Sequence, residues 1–275
     1  MFSAAWCAVA LVGCLLSTAA AAWAQDVPQT SNRGVVITRE WWTFGAFALG
    51  VVAAAPFDSR LARQFERTSL HESRTVDRTA GAIRALGDPG TLLLSVGSFA
   101  VGRLAHRPTL ADVGLHASEA ALFSGATSAV LKQLVGRARP NLVRNDDADV
   151  FRPASGASGY TSFPSGHTTV AFAAASAVSA ELARSVLATR HPRVAYVVAP
   201  ILFGSASLVG ISRMYHDAHW ASDVVAAAGI GTVAGRMVVR RHHDGPRGRV
   251  ERWLLPAQVV PTAGGGAAVW NIAFR

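Results

Sequence analysis

A histidine and an aspartate lie four residues apart in the C-terminal half of the sequence, His219 and Asp223. On a helix this spacing places both side chains on one face, so the carboxylate can accept a hydrogen bond from one ring nitrogen and leave the other free. An imidazole oriented in this way is a candidate nucleophile or general base. Arg213, a short distance upstream, adds a fixed positive charge to the same stretch.

Two further donors in this stretch, His216 and Asp217, leave a second interpretation open. Together with His219 and Asp223 they supply nitrogen and oxygen ligands at a spacing that suits zinc or iron. From these residues alone, a metal site, a structural histidine and a catalytic histidine are equally tenable.

A turn with the sequence Pro-Ser-Gly-His, at residues 164–167, directly precedes an apolar segment. Such a turn at a helix N-terminus directs free backbone N–H groups, here of Gly166 and His167, at one point where they can bind an anion. The hydroxyl of Ser165 can add a donor. The alternative is an ordinary helix N-cap made by Ser165 or Thr168.

A third cluster consists of Lys132 and Arg139, followed by Pro140, which forbids the preceding helix from continuing. Two cations at a helix end can converge on one anion, or they can simply complement the helix dipole. The chain has 26 basic residues, and Lys132 is the single lysine among them. Lysine and arginine are not interchangeable where a compact ammonium group must fit, so this position is a candidate for function.

In this order, the three clusters resemble the signature of the type 2 phosphatidic acid phosphatase superfamily. This superfamily includes lipid phosphate phosphatases, bacterial class A acid phosphatases and vanadium haloperoxidases. The resemblance covers about residues 41–239 and every motif position matches. It implies an all-α fold and hydrolysis of phosphate monoesters or diphosphates, without a metal or another cofactor, through a phosphohistidine.

The resemblance also implies a role for each matching residue. Five residues are expected to bind the phosphoryl oxygens: Lys132, Arg139, Ser165, Gly166 and Arg213. His219 is expected to attack phosphorus, Asp223 to orient His219, and His167 to protonate the leaving oxygen. This assignment agrees with the chemistry, because a loose phosphoryl-transfer transition state needs fixed positive charge around its equatorial oxygens. Arg137 lies beside the first motif and is interpreted as a supporting or lipid-facing charge.

Six apolar segments must position these residues, and each is long, alanine-rich and without strict alternation, which predicts helices. They span residues 41–57, 91–105, 115–135, 167–183, 194–211 and 222–239. Between the first two, an arginine-rich stretch has helical spacing of its apolar residues. The predicted fold is an all-α bundle of about six core helices, at residues 41–240, followed by a tail at 241–275 with a short β-hairpin.

The N-terminal segment has the pattern of an export signal. Residues 1–24 contain an apolar stretch and then Ala22-Trp23-Ala24, a small-x-small cleavage pattern. A polar leader follows at residues 25–40. Both cysteines, Cys7 and Cys14, lie in the signal, so the mature domain is expected to use no thiolate chemistry. A lipid anchor on Cys14 and an uncleaved segment are the alternatives.

The composition, 51% hydrophobic and 16% charged, lies between that of a soluble enzyme and that of a polytopic membrane protein. The net charge of +9 favours anionic partners. Membrane members of the superfamily have six spans and an extracytoplasmic site, but a cleaved signal would put Lys132 on the opposite side. Two arrangements would resolve this conflict. One is an exported helical domain that lies at the membrane, which the sequence slightly favours, and the other is an integral enzyme whose first segment is not cleaved.

The expected partners are a phosphorylated lipid or a small soluble phosphate ester, together with a membrane surface in the cell envelope. No nucleic acid, metal or other cofactor is predicted, and the sequence predicts no oligomeric state. A phosphotransferase, a vanadate-dependent haloperoxidase, a metal-dependent hydrolase and a non-enzymatic envelope protein are the competing functions.

Overall fold

The computed structural model describes residues 35–66, 73–143, 147–185, 192–244, 257–262 and 265–270. The predicted signal segment and most of the predicted leader lie outside these residues, so both stay predictions. All residues that carry the three motif clusters lie within them.

Helices account for about 81% of the described chain up to residue 244, and most of residues 136–165 lie outside them. They are α1 (Val35–Ala54), α2 (Asp58–Glu66), α3 (Arg74–Ala85), α4 (Gly90–Leu104), α5 (Pro108–Val135), α6 (Gly166–Arg184), α7 (Pro192–Tyr215) and α8 (Ala221–Asp244). The six predicted apolar segments coincide with α1 and with α4 to α8, which confirms the helical prediction. Helix α1 begins earlier than predicted, at Val35, within the segment interpreted as a polar leader.

The sequence explains several helix boundaries. Pro108 occupies the first turn of α5, where a missing N–H costs nothing and the fixed φ favours a helix. The turn between α3 and α4 contains Asp88 and Pro89, residue types that favour turns. Pro200 lies inside α7, where it removes one backbone hydrogen bond without ending the helix.

Helices α6 and α8 form the centre of the bundle, and small residues bring their backbones together. A Cβ added at Gly231 would lie 2.3 Å from the carbonyl oxygen of Thr169, and one at Gly235 would lie 2.3 Å from that of Ala173. Neither position can carry a side chain unless the helices separate. Helix α5 packs on the other side of α6, while α1 packs against α8 and α7 against α6.

The hydrophobic core has a different composition on the two sides of the contact between α6 and α8. Around α7 it contains large residues, including Phe172, Phe203 and Val224. Between α5, α6 and α8 it consists mainly of alanines, together with Val238 and Val239. The alanine-rich part lets three helices approach closely, so their ends are held in fixed relative positions.

Large apolar side chains cover much of the outer surface of the bundle. Trp42 is 78% exposed, Leu49 72% and Leu104 82%. Among the described residues, three stretches are long and apolar enough to cross a membrane: Trp41–Glu66, Val197–Tyr215 and Ala221–His243. Inside the protein, 11% of the apolar part of Trp41–Glu66 is buried, against 83% of that of Ala221–His243. The first stretch therefore lies at the periphery of the bundle and the third at its centre.

Beyond residue 244 the structure describes two short strands, β1 (Ala257–Thr262) and β2 (Gly265–Trp270). They pair antiparallel, with Ala257 opposite Trp270 and Thr262 opposite Gly265. Residues 245–256, 263–264 and 271–275 of the predicted tail lie outside the described residues.

Candidate active site

Lys132 lies in the last turn of α5, and the end of that helix fixes its position. Gly136 caps α5 with a φ of 59°, and its N–H donates to the Lys132 carbonyl at 3.0 Å. A Cβ at Gly136 would lie 2.1 Å from the carbonyl oxygen of Arg152, so both the conformation and the space require glycine. Lys132 Nζ donates to the carbonyl oxygens of Thr161 and Pro164, each at 2.6 Å. The lysine therefore joins the end of α5 to the loop before α6.

Ser165 is the N-cap residue of α6, but its hydroxyl makes no capping hydrogen bond. Instead, Ser165 Oγ lies 2.9 Å from Thr168 Oγ1. The first N–H groups of the helix, on Gly166 and His167, have no acceptor within the helix. A Cβ at Gly166 would lie 3.7 Å from Lys132 Cε, so this turn faces the lysine. The predicted anion-binding turn and the predicted cation are thus neighbours.

His219 is 4% exposed and lies in the turn between α7 and α8. Its Nδ1 lies 2.7 Å from the carbonyl oxygen of Ser162. Because a carbonyl can only accept, Nδ1 carries the proton and Nε2 keeps its lone pair. Burial and three nearby cations lower the pKa of His219 well below its usual value, and these cations are Lys132, Arg213 and Arg139. The ring is therefore neutral, with Nε2 available to attack.

Asp223 does not orient His219 through the direct hydrogen bond expected from the sequence. His219 Nδ1 and Asp223 Oδ2 are 3.9 Å apart, because His219 precedes α8 and the pair does not share a helical face. Asp223 Oδ2 accepts from Ser162 Oγ at 2.5 Å and from the Trp220 N–H at 2.9 Å. Asp223 therefore fixes the loop whose carbonyl orients His219, and it closes the first turn of α8.

Arg137 is a buried part of this support rather than a lipid-facing charge. It is 5% exposed, and its Nη1 donates to Asp223 Oδ1 at 2.7 Å while its Nη2 donates to Asp58 Oδ2 at 2.8 Å. Its guanidinium also lies over the Trp220 ring, 5.5 Å from the centroid. Asp58, fully buried at the start of α2, accepts from the Ser222 N–H at 2.8 Å. One arginine thus links α2, the end of α5 and α8.

Arg139 and Arg213 each carry a buried Nε–H that has no hydrogen-bond partner in the described part of the chain. Arg139 Nη2 donates to Thr161 Oγ1 at 3.1 Å. Arg213 is 7% exposed in the last turn of α7. Buried N–H donors without an acceptor are costly. Beside the neutral ring of His219, these two N–H groups form a place where an anionic group can bind.

His167 lies at the start of α6, half-buried, against Gly87, where an added Cβ would approach the His167 Cβ to 2.9 Å. Burial and the positive charge of Arg213 lower the pKa of His167 to about 4, although Asp88 raises it. The ring is neutral at pH 7 in the absence of substrate. A bound phosphate group would add negative charge beside it and favour protonation.

Burial and the charge of Arg139 also lower the pKa of Lys132, to about 8. The lysine is still mainly charged at pH 7, but it loses its charge in the mildly alkaline range. The site therefore has a cation that titrates just above neutrality.

The alternative metal site is not assembled by this geometry. His216 Nδ1 lies 2.6 Å from the Ser212 carbonyl oxygen, and His219 Nδ1 is engaged by Ser162. The carboxylate oxygens of Asp223 are taken by Ser162, Arg137 and the Trp220 N–H. In the part of the chain that the structure describes, these donors do not come together as a ligand group.

Two serines belong to the site although no sequence pattern indicates them. Ser162, fully buried, orients His219 and bonds to Asp223. Ser128 lies one turn before Lys132 on the same face of α5, with a buried hydroxyl that has no partner among the described residues. That hydroxyl lies 3.8 Å from the position of a Cβ on Gly166. It is therefore a further donor at the edge of the turn.

Curated proteins similar to this chain are lipid phosphatases. A lipid A 1-phosphatase of Rhizobium johnstonii is 34% identical over 119 residues, 43% of this chain and 43% of that protein. Lipid phosphate phosphatase 1 of Arabidopsis thaliana is 31% identical over 144 residues, 46% of this chain and 43% of that protein. The chain thus spans less than half the length of these curated relatives.

A solved structure shares the fold. It is the crystal structure of a transmembrane PAP2 type phosphatidylglycerolphosphate phosphatase from Bacillus subtilis, with a TM-score of 0.55 and 23% identity. The match covers 76% of this chain and 100% of that one. The family model of the PAP2 superfamily matches residues 114–246, the segment that contains all eight predicted site residues. In agreement with the resemblance of its three motifs, this segment of the chain belongs to the PAP2 superfamily.

Proposed function

We propose that this protein is a phosphatase that removes phosphate from a membrane lipid, with His219 as the nucleophile. One observation carries the proposal: a buried, neutral His219 that keeps Nε2 free and is surrounded by three cations. The cations supply the charge that a phosphoryl group needs in its transition state. The Ser162 carbonyl supplies the orientation that attack by Nε2 requires.

The first step forms a bond between His219 Nε2 and phosphorus and breaks the bond from phosphorus to the lipid oxygen. Lys132, Arg139 and Arg213 hold the non-bridging oxygens, together with the turn at residues 165–166. The ring becomes positive as it is phosphorylated, and its Nδ1–H stays on the Ser162 carbonyl, which stabilises that charge. A proton from His167 neutralises the leaving alkoxide.

The second step reverses these roles. His167, now neutral, accepts a proton from water, the oxygen attacks phosphorus, and the bond to Nε2 breaks. His219 returns to its neutral form. Since the pKa of His167 is about 4 without substrate, its proton must arrive with the substrate, either on the phosphate group or through the negative charge that the phosphate adds.

The surface of the bundle supports a lipid substrate and an integral position in the membrane. Exposed tryptophan, leucine and valine side chains cover α1, and α4 is similarly apolar. Such a surface is stable only in contact with lipid or with another apolar surface. The curated relatives are named for lipid A and lipid phosphate. We therefore favour a phosphorylated lipid whose headgroup reaches the site at the end of the bundle. We also favour an integral enzyme over the exported, membrane-associated domain that the sequence slightly favoured.

The competing functions differ in their substrates and inhibitors. Turnover should be measured on lipid A 1-phosphate, phosphatidate, phosphatidylglycerol phosphate, undecaprenyl diphosphate and p-nitrophenyl phosphate. A lipid phosphatase turns over at least one lipid with a kcat/KM well above that for p-nitrophenyl phosphate, and a general acid phosphatase does not. The histidine mechanism also predicts inhibition by vanadate and activity in EDTA, whereas a metal-dependent hydrolase would lose its activity in EDTA.

The nucleophile is tested with His219→Ala and with His216→Ala as its matched control. His216 lies three residues away and bonds to the Ser212 carbonyl, outside the phosphate pocket. The His219→Ala enzyme should lose about 10⁴-fold in kcat or more. It should also form no acid-labile, base-stable phosphoenzyme in rapid-quench experiments with labelled substrate. His216→Ala should keep both properties, and a phosphoenzyme in the His219→Ala protein would refute the mechanism.

A further inference from the structure

A second cluster of titratable side chains lies at the other end of the bundle. His116 is in the third turn of α5, Glu181 in the last turn of α6, and His243 in the last turn of α8. Along α5, His116 is about 24 Å from Lys132 at the helical rise of 1.5 Å per residue. We call these three residues the distal cluster. The proposed phosphatase mechanism makes no use of them.

The donor atoms of the distal cluster converge on one point. Glu181 Oε2 lies 2.7 Å from His116 Nδ1 and 2.8 Å from His243 Nε2, and one donor atom from each residue lies within 4.8 Å of the others. His116 is 4% exposed and Glu181 also 4%, so two of the three are enclosed by the bundle. Their surroundings are the alanines and valines between α5, α6 and α8. Such polar groups are buried at a cost and need strong mutual interactions.

We propose that the distal cluster is a binding site for a zinc ion. Two imidazole nitrogens and one carboxylate oxygen are a ligand set that zinc favours, whereas calcium and magnesium require oxygen ligands. Three protein ligands leave a fourth position for water, on the side where the His243 side chain reaches the surface. Zinc would take the place of the two protons that now lie between the imidazoles and Glu181. The two nitrogens, now 2.7 and 2.8 Å from Glu181 Oε2, need to lie only about 3.3 Å from it, the separation that bonds of about 2.0 Å imply.

Neighbouring residues support this arrangement. The His242 ring packs on the His116 ring, with 4.2 Å between their centroids, and His242 Nε2 lies 2.5 Å from Glu119 Oε2. This contact holds the His116 ring in the orientation that directs Nδ1 at Glu181. His242 and Glu119 thus orient a proposed ligand of the ion, and neither is itself a proposed ligand.

The bound ion would join three helices. Helices α5, α6 and α8 carry Lys132, His167 and Asp223 at their other ends, so a clamp at the distal cluster stabilises the frame of the active site without taking part in the reaction. Ion binding to the folded state alone adds RT ln(1 + [Zn²⁺]/Kd) to stability. The consequence is a melting temperature that rises with zinc concentration.

The test uses the full chain in detergent, with an affinity tag that contains no histidine. After incubation with Zn²⁺ and removal of free metal by gel filtration, mass spectrometry of the metal should give about one zinc per wild-type chain. His243→Ala changes an exposed residue, so the fold is retained, and this variant should lose the bound zinc and the zinc-dependent rise in melting temperature. Glu181→Gln should weaken zinc binding at least tenfold.

Two controls separate the distal cluster from other histidines. His242→Ala, at the adjacent position, should keep zinc at saturating concentrations. His219→Ala should also keep it, so the result does not depend on the phosphatase proposal. A wild-type chain with less than about one-tenth of a zinc per chain would overturn the proposal. Equal zinc in His243→Ala and wild type, or its loss in His219→Ala, would do the same.

Discussion

Ser162 connects the first and third motif clusters through its three polar groups. Its N–H donates to the Arg137 carbonyl at 3.0 Å, its carbonyl accepts from His219, and its hydroxyl donates to Asp223. Asp223 in turn pairs with Arg137. The orientation of His219 is thus set by a backbone group that a buried network of side chains holds in place.

This indirect arrangement predicts different effects for Ser162→Ala and Asp223→Asn. Ser162→Ala loses one hydrogen bond to a carboxylate, worth about 1.5–3 kcal/mol of stability. It keeps the carbonyl that orients His219, so kcat should fall by less than about tenfold. Asp223→Asn leaves Arg137 buried with one of its two carboxylates, which should cost about 3–5 kcal/mol of stability and lower the melting temperature. Melting curves and kcat of both variants check this. An Asp223→Asn protein with wild-type stability but no activity would instead indicate direct contact between Asp223 and His219.

The pH dependence of kcat/KM should report Lys132. With a pKa lowered to about 8 by burial and Arg139, Lys132 is charged below pH 8 and neutral above it. Attraction for the phosphate group is therefore present below pH 8 and lost as the pH rises through that value. The wild-type kcat/KM should decline above about pH 8, measured on a soluble ester. In Lys132→Arg the guanidinium stays charged, so this decline should disappear, even if the absolute value falls because arginine cannot reproduce the bonds of Nζ to two carbonyls.

The sequence alone indicated the cations and the histidines of the candidate site, with Asp223 and Arg137 beside them, but not Asp58 or Ser162, which hold them in place. The spacing of Lys132 and Arg139 before Pro140 indicated a pair of cations at a helix end. Asp223 and Arg213 nearby in sequence indicated that His219 is a candidate for chemistry. Asp58 contacts Arg137 across 79 positions of sequence, and no local periodicity encodes such a contact. The same reason explains the incorrect His219–Asp223 hydrogen bond, since the four-residue rule applies only inside a helix and His219 lies before one.

At the scale of the elements, composition and breakers were sufficient to predict the six long helices. Their packing was not predictable, because alanine-rich helices offer no distinct apolar stripe and several of their faces are buried at once. Helix α6 is buried on most of its surface, with alanines and serines on all sides. Where α6 crosses α8, the close approach of the two helices depends on Gly231 and Gly235, which have no side chain.

A single methyl group at this crossing should therefore be destabilising. In Gly231→Ala the new Cβ would lie 2.3 Å from the Thr169 carbonyl oxygen, which forces α6 and α8 apart. The expected cost is roughly 1–3 kcal/mol, with a fall in kcat because α6 carries His167 and α8 carries Asp223. Gly97→Ala is the matched control, since nothing lies within 4 Å of its new Cβ and alanine is the better helix former. Thermal unfolding in detergent should place Gly231→Ala below the wild type and Gly97→Ala at or slightly above it.

At the scale of the whole molecule, the phosphate site lies at one end of a bundle that is long enough to cross a membrane. Thr109, in the first turn of α5, and Lys132, in the last, are about 35 Å apart at 1.5 Å per residue. The hydrocarbon core of a bilayer is about 30 Å thick. A bundle of this length with an apolar outer surface can therefore present its phosphate site at one membrane surface and Thr109 at the other, with the distal cluster lying between them.

This arrangement predicts opposite accessibility for two engineered cysteines, in a chain with Cys7 and Cys14 replaced by serine. Ser155→Cys lies in the exposed loop that the Ala154 N–H anchors to Gln133 at the active-site end. Thr109→Cys is exposed at the other end. With the site on the extracytoplasmic side, a membrane-impermeant maleimide should label Ser155→Cys in right-side-out vesicles and should label Thr109→Cys only after detergent is added. Labelling of both without detergent would contradict a membrane-spanning bundle, and the reverse pattern would place the site in the cytoplasm.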